Sequence, residues 1–392
     1  MELPLFGNMK IPAIFGAIGL VGVLILFVFL FNIAGTEKLG KMQVLAVIPL
    51  TGPTAPIGED FLKGMELAME KHDMGFELVL EDSQSQAKAA VTAAKKALET
   101  RKVDVVVSLQ SSVAVPLVAL AEEHNKPLLA TVVSNDGFAK SSRNAFRLFP
   151  NGSESAALAA GFAHSQGFGN ASTITIMDEY GQTMRDEFVK NFPGVIDAQE
   201  SFEAGNQDFR TALLKTRDSE AVYFIGLASH YASFLRQREE TGAGTIVISN
   251  QDLVSEFTKS NVGTLLDNAF ATVPVSMVGN ERTEEFSKEF EVKFGRKPDF
   301  GAMFGYDMAL VLDAVEKSGK NPMEALHEIE VDGLNGTLSF DEDGEVDIEL
   351  AVVEASDGIV EKVDFEQGEG ADQGLGEEGE GQGTEGGEIS ED

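Results

Sequence analysis

Ser111 and Ser112 stand where polar chemistry is best placed in this chain. They follow a β-branched run at 103–109 and precede a segment whose apolar residues recur at helical spacing as far as Asn125. Lys126-Pro-Leu-Leu-Ala-Thr-Val-Val comes next and ends on Ser134 and Asn135. Strand, loop, helix and strand in that order make one βαβ unit with parallel strands. The hydroxyl pair then falls at the carboxyl end of a strand and the amino end of a helix, where free backbone N–H groups and the helix dipole favour an anion. Ligands of open α/β sheets sit at that edge. The same hydroxyls also serve as N-caps in helices that bind nothing, and the stretch alone leaves both readings open.

No other residue set competes with this one. The five histidines, at 72, 124, 164, 230 and 327, show neither HExxH nor metal-ligand spacing. There is no cysteine, which excludes disulfides, thiolate metal sites, a cysteine nucleophile and a lipidated cysteine. GxxxxGK[ST] and GxSxG are missing, and GxGxxG occurs only at 374–379 and 381–386, in the Gly/Glu-rich end with no strand before it to make it a nucleotide loop. No cofactor, metal or catalytic residue is expected, and the chain does not read as an enzyme. A net charge of −34, from 30 Lys plus Arg against 64 Asp plus Glu, opposes nucleic acid and anionic lipid surfaces as partners.

The elements that must hold the hydroxyls alternate regularly. Residues 42–50 read as a buried strand, 51–58 as a turn-rich loop, and Phe61, Met65, Ala68 and Met69 as one face of a helix. A strand at 76–80 and a helix marked by Ala87, Ala90, Val91, Ala94 and Leu98 lead into the βαβ unit. Beyond Phe146-Arg-Leu-Phe-Pro the rhythm repeats, with strands at 172–177, 199–202, 221–225 and 245–249 and helices between them. Two such runs imply two parallel-sheet domains, as the length of 392 residues also suggests. Later come a strand at 269–275, helices at 283–294, 302–318 and 322–329, and strands at 336–340 and 346–353. The last two flank Asp341-Glu-Asp-Gly, whose glycine comes two places too early for a calcium loop and suits a hairpin turn.

The ends differ from this body. Residues 11–33 carry no charge and suffice to span a hydrocarbon core of roughly 30 Å, so they read as a transmembrane helix. Asn32-Ile33-Ala34 is a poor cleavage site, which favours an uncleaved signal anchor with the whole folded body on one side. Residues 366–392 hold ten acidic residues, nine glycines and no lysine or arginine, and read as a disordered acidic tail.

Taken together, these motifs resemble those of type I periplasmic binding proteins of the leucine/isoleucine/valine-binding class. Thr51-Gly-Pro with Gly58, Asp82-Ser83, Ser111-Ser112, Lys126-Pro-Leu, Phe146-Arg-Leu and Asp178-Glu-Tyr-Gly carry the likeness. So do Ala221-Val-Tyr-Phe, Phe294-Gly-Arg-Lys-Pro, Tyr306-Asp and Leu334-Asn-Gly-Thr-Leu-Ser-Phe-Asp, which extends it over about 42–363. The resemblance implies an α/β fold of two doubly wound parallel-sheet lobes joined by three crossing strands, near Phe149, Thr272 and Gly333. Lobe 1 would comprise 42–149 and 276–333, and lobe 2 would comprise 150–275 and 334–365. Ahead of them would stand the short tail 1–10, the anchor 11–33 and the linker 34–41. By the same resemblance Ser111, with Ser112, and Ser134 hold a ligand carboxylate, Tyr180 lines the pocket, and Gln251 or Asp252 meets a ligand ammonium. Two positions that often carry aromatic contacts are Ile57 and Leu227. The implied function is a membrane-anchored, extracytoplasmic solute-binding protein that captures a small polar ligand, an amino acid or related compound, and delivers it to an ABC transporter permease. The alternative is a sensing or assembly module of the same fold, read by a partner membrane protein.

Overall fold

A parallel sheet forms first, from strands β1 (Gln43–Ile48), β2 (Glu77–Asp82), β3 (Val105–Leu109), β4 (Leu128–Thr131) and β5 (Ala145–Arg147). In this computed structural model, which describes residues 41–356 and 359–365, they lie in the order β2-β1-β3-β4-β5. Every pairing is parallel. The near-continuous Val, Leu and Ala of β1, β3 and β4 follow from burial on both faces. The expected anchor at 11–33 and the acidic tail at 366–392 lie outside the described residues.

A second sheet repeats the same winding. Strands β6 (Asn170–Ile176), β7 (Val195–Phe202), β8 (Ala221–Ile225), β9 (Ile246–Asn250) and β10 (Ala269–Pro274) lie in the order β10-β9-β8-β6-β7. A small hairpin, β11 (Val331–Gly333) with β12 (Gly336–Leu338), precedes two more strands, β13 (Leu350–Ser356) and β14 (Ile359–Val363). These last two extend the second sheet antiparallel beyond β10. Both windings reverse next to their first strand, between β1 and β3 in one and between β6 and β8 in the other. At such switch points the loops diverge and leave a crevice.

Several elements differ from the sequence expectation. The segment after Ser111 is not one helix: Ser111–Ala114 and Val118–Glu123 are separated by a tighter turn at Val115–Leu117, where Pro116 has no N–H to donate. A helix at Glu256–Val262, capped by the Ser255 side chain, fills a stretch for which no element was expected. Strand 346–353 does not form a long hairpin with 336–340. Only Phe340 and Val346 bridge, around a turn in which Asp341 Oδ1 accepts from the Asp343 and Glu345 N–H groups.

The crossings also shift. Thr272 sits inside β10, bonded to both neighbours, so the second crossing follows Pro274. Leu334, Leu338, Phe340, Val346 and Ile348 are buried in the core of the first sheet, so 334–348 belong with lobe 1 and the third crossing falls just before Leu350. Two devices hold that segment there. Asp307 accepts from the N–H groups of Leu334 and Asn335 at 2.7 and 3.1 Å and from Asn335 Nδ2 at 2.8 Å. The buried Arg147 donates to Glu345 at 2.6 Å and to the Asn135 carbonyl at 2.9 Å.

Helices Ala55–His72 and Phe300–Ser318 cross closely on the first sheet. A Cβ on Gly64 would lie 1.9 Å from the Ala302 carbonyl oxygen, and one on Gly305 would lie 2.0 Å from that of Phe61. The glycines allow the backbones to touch, which sets the start of the later helix, with Asp299 and Phe300, beside Ile57 and Asp60.

Candidate functional site

The site is built from loops at the carboxyl ends of the two sheets. In lobe 1, Gln110 follows β3 with φ +71°, a left-handed value that turns the chain sharply so that Ser111 opens its short helix. Val132, just past β4, has φ +56°. For a β-branched residue this is strained backbone, of a kind that persists at functional sites when the surroundings enforce it. Between these two turns Ser111 Oγ accepts from the Ser134 N–H at 3.1 Å, so the two expected hydroxyl residues are brought into direct contact. Both are buried, whereas Ser112 is exposed. Thr54, from the loop after β1, donates to Gln110 Oε1 at 2.7 Å and ties the third loop to the pair.

In lobe 2, Asp178 caps helix Glu179–Asn191 by accepting from the Gly181 N–H at 2.8 Å, which sets Tyr180 on its first turn. Tyr180 Oη accepts from Asn250 Nδ2 at 2.5 Å. Asn250 Oδ1 in turn accepts from the Tyr231 hydroxyl and from the Asp252 N–H, both at 3.3 Å. Asn250 is therefore the hub that orients Tyr180 and the Gln251-Asp252 turn, although its sequence marks it only as a loop residue. Gln251 and Asp252 are buried, and Gln251 Nε2 donates to Asp252 Oδ2 at 3.3 Å. Burial first, then the charge of Asp299, pushes the Asp252 carboxyl up to about 7, against the pull of that hydrogen bond.

Leu227 is held by a residue no motif announced. His230 Nδ1 accepts from the Leu227 N–H at 3.0 Å, so the ring's proton is on Nε2, which donates to the Ala204 carbonyl at 2.8 Å. Burial lowers its pKa, consistent with a neutral, structural histidine.

The lobes meet on one flank. Helix Ser111–Ala114 lies against helix Glu179–Asn191, and Asn135 Nδ2 donates across to Glu179 Oε1 at 2.7 Å. Beside this contact runs a cleft of about 410 Å³, lined from lobe 1 by Thr54, Ile57 and Asp299 and from lobe 2 by Leu227, Asp252 and Phe257. Of the expected ligand residues only Asp252 lines it, together with Ile57 and Leu227. Ser111, Ser112, Ser134, Tyr180 and Gln251 stand outside that cavity. Asp299 was missed because Asp before an apolar helical run reads as an N-cap. It is one, accepting from the Phe300 N–H at 2.8 Å, but it also accepts from the Phe257 N–H at 3.2 Å across the lobes.

Two like-wound lobes with facing switch points and a cleft between them are the architecture of a protein that closes on a solute, and the family match agrees. Residues 41–359 match the family model described as periplasmic binding protein. The chain belongs to the periplasmic binding protein family. Within it, the chain is of type I and of the leucine/isoleucine/valine-binding class, a solute-binding protein and not an enzyme. A relative from Brucella suis, "Leu/Ile/Val-binding protein homolog 1", is 24% identical over 319 residues, covering 76% of this chain and 85% of its own length. Among solved structures, the isoleucine complex of the branched-chain amino acid transporter substrate binding protein LivJ from Streptococcus pneumoniae superposes with a TM-score of 0.76 at 21% identity. It covers 82% of this chain and 99% of that one. The benzoate complex of an ABC transporter solute binding protein from R. palustris gives 0.77 at 20% identity, with 83% and 96% covered.

Proposed function

We propose that this periplasmic binding protein is tethered outside the cytoplasm by residues 11–33, captures a small polar solute bearing a carboxylate by closure of its lobes, and delivers it to an ABC permease. The observation that supports this reading is the contact between Ser111 and Ser134 at the strand ends of lobe 1, where helix Ser111–Ala114 lies against the lobe 2 helix that carries Tyr180. Ser134 Oγ and the N–H groups of the short helix offer donors to a carboxylate, and Ser111 Oγ can donate to it while accepting from Ser134. Isoleucine and benzoate, held by the two solved relatives, both carry that group. A solute touching donors on both lobes gains its full affinity only when they meet, which couples capture to closure. The Asn135–Glu179 bond is one contact such closure makes.

A thermal-shift screen of the full-length protein against amino acids, small carboxylates, amides and peptides tests this. Carboxylate-bearing solutes should raise the melting temperature and their uncharged amides should not. Amides that stabilise as strongly as the acids would refute the carboxylate reading.

A further inference from the structure

We infer that the cleft beside the hydroxyl pair contains a second binding position, formed by Asp252 and Asp299 from opposite lobes, for a cationic group carried on a chain distant from the solute's carboxylate. The inference rests on the proposed carboxylate site and extends it to a solute class: a long zwitterion ending in an ammonium or guanidinium.

Asp252 is 7% exposed, and among the described residues its carboxylate has one side-chain partner, the Gln251 amide, on Oδ2. Asp299, lining the same cleft, accepts only backbone N–H bonds among the described residues. Neither carboxylate is in an ion pair among the described residues, whereas the other acidic groups around the cavity are paired. Asp60 is bound by Arg296, Glu59 by Lys63 at 2.6 Å and Glu256 by Lys259. Lys297 stands at the exposed rim, and Arg296, engaged by Asp60, is the remaining nearby cation. A buried and a half-buried carboxylate that repel each other, with neither ion-paired, are costly unless one keeps a proton or a cation arrives from outside. Burial holds Asp299 at about 6, and burial with Asp299's charge holds Asp252 at about 7, so both are poised to ionise fully when a cation binds.

The placement of the cleft sets the length of the solute. Ser111, Ser134 and Tyr180 do not line it, so a molecule reaching both positions must separate its charges by more than the one carbon of an α-amino acid. Ile57 and Leu227, where aromatic residues would fill the space, leave apolar walls for a methylene chain.

Calorimetry on the full-length protein in detergent, at about pH 8 where both carboxylates are charged, compares L-lysine with L-norleucine and ε-aminocaproate with caproate. Each pair differs by the terminal ammonium. The amine-bearing member should bind at least about tenfold more tightly. Asp299→Asn, and separately Asp252→Asn, should bring each ratio towards one. Retained folding is checked by the melting temperature. Equal affinity within each pair, no binding of either amine, or an unchanged ratio in both variants would overturn the inference. The carboxylate reading is tested apart by Ser111→Ala: if lysine still binds undiminished, that reading fails while the cation position stands.

Discussion

Ser111 illustrates how one side chain is tied into the fold at the edge proposed to hold the ligand. Its position at a strand end was legible, because β-branched runs followed by hydroxyls mark sheet edges. Its partner was not, because Ser134 lies 23 residues on and the bond depends on the turns at Gln110 and Val132. Ser111→Ala should therefore do two things. It leaves the buried Ser134 N–H without an acceptor, which costs about 1–3 kcal/mol and a few degrees of melting temperature. It should also weaken carboxylate-bearing solutes more than Ser112→Ala does, because Ser112 points to solvent. Titration of both variants checks this; equal losses would remove Ser111 from the site.

At the level of elements, most helices and strands were readable from periodicity and turn residues, since those signals are local. Strand 221–225 matched the expected bounds, while the helix at Glu256–Val262 carried too short a pattern to be seen. What periodicity could not show is how helices Ala55–His72 and Phe300–Ser318 approach. Gly305→Ala places a methyl group against the Phe61 carbonyl, so it should destabilise lobe 1 by about 1–3 kcal/mol. By shifting the start of the helix at Phe300 it should also lower affinity for cationic solutes. A denaturant melt and a lysine titration check both effects. Asp307→Ala acts on the third crossing: it strips the acceptor from the N–H groups of Leu334 and Asn335, with a loss of about 2–4 kcal/mol expected in the same melt.

For the whole molecule, the charge of −34 and the acidic cleft have the same sign, so positively charged solutes should be drawn in with an on-rate that falls as salt rises. The pH dependence follows from buried carboxylates. Asp252 at about 7 and Asp299 and Asp307 at about 6 lie above the ordinary Asp value near 4 of the unfolded chain. The folded protein thus binds more protons than the unfolded one between about pH 4 and 7. The stability these groups contribute is full below about pH 4 and is lost as pH rises through 6 to 7. His230, whose pKa is lowered, opposes this below about 6.5, but Asp60, Glu154, Asp178 and Glu345, each raised by burial, act with the three. Ligand-free melting temperature should rise from pH 8 to about 5, while the shift produced by lysine shrinks over the same range. Melts at several pH values with and without lysine check the opposed slopes.

The amino-acid sequence by itself determined the alternation of strands and helices, the family and the hydroxyl edge, because each is written in spacing along a local stretch or in the order of short motifs. Only the tertiary structure decided that 334–348 pack with lobe 1, that Asn250 orients Tyr180, and that Asp252 faces Asp299. Those contacts join residues far apart in the chain, and their energies depend on burial and on the partner's charge, quantities that exist only once the chain has folded.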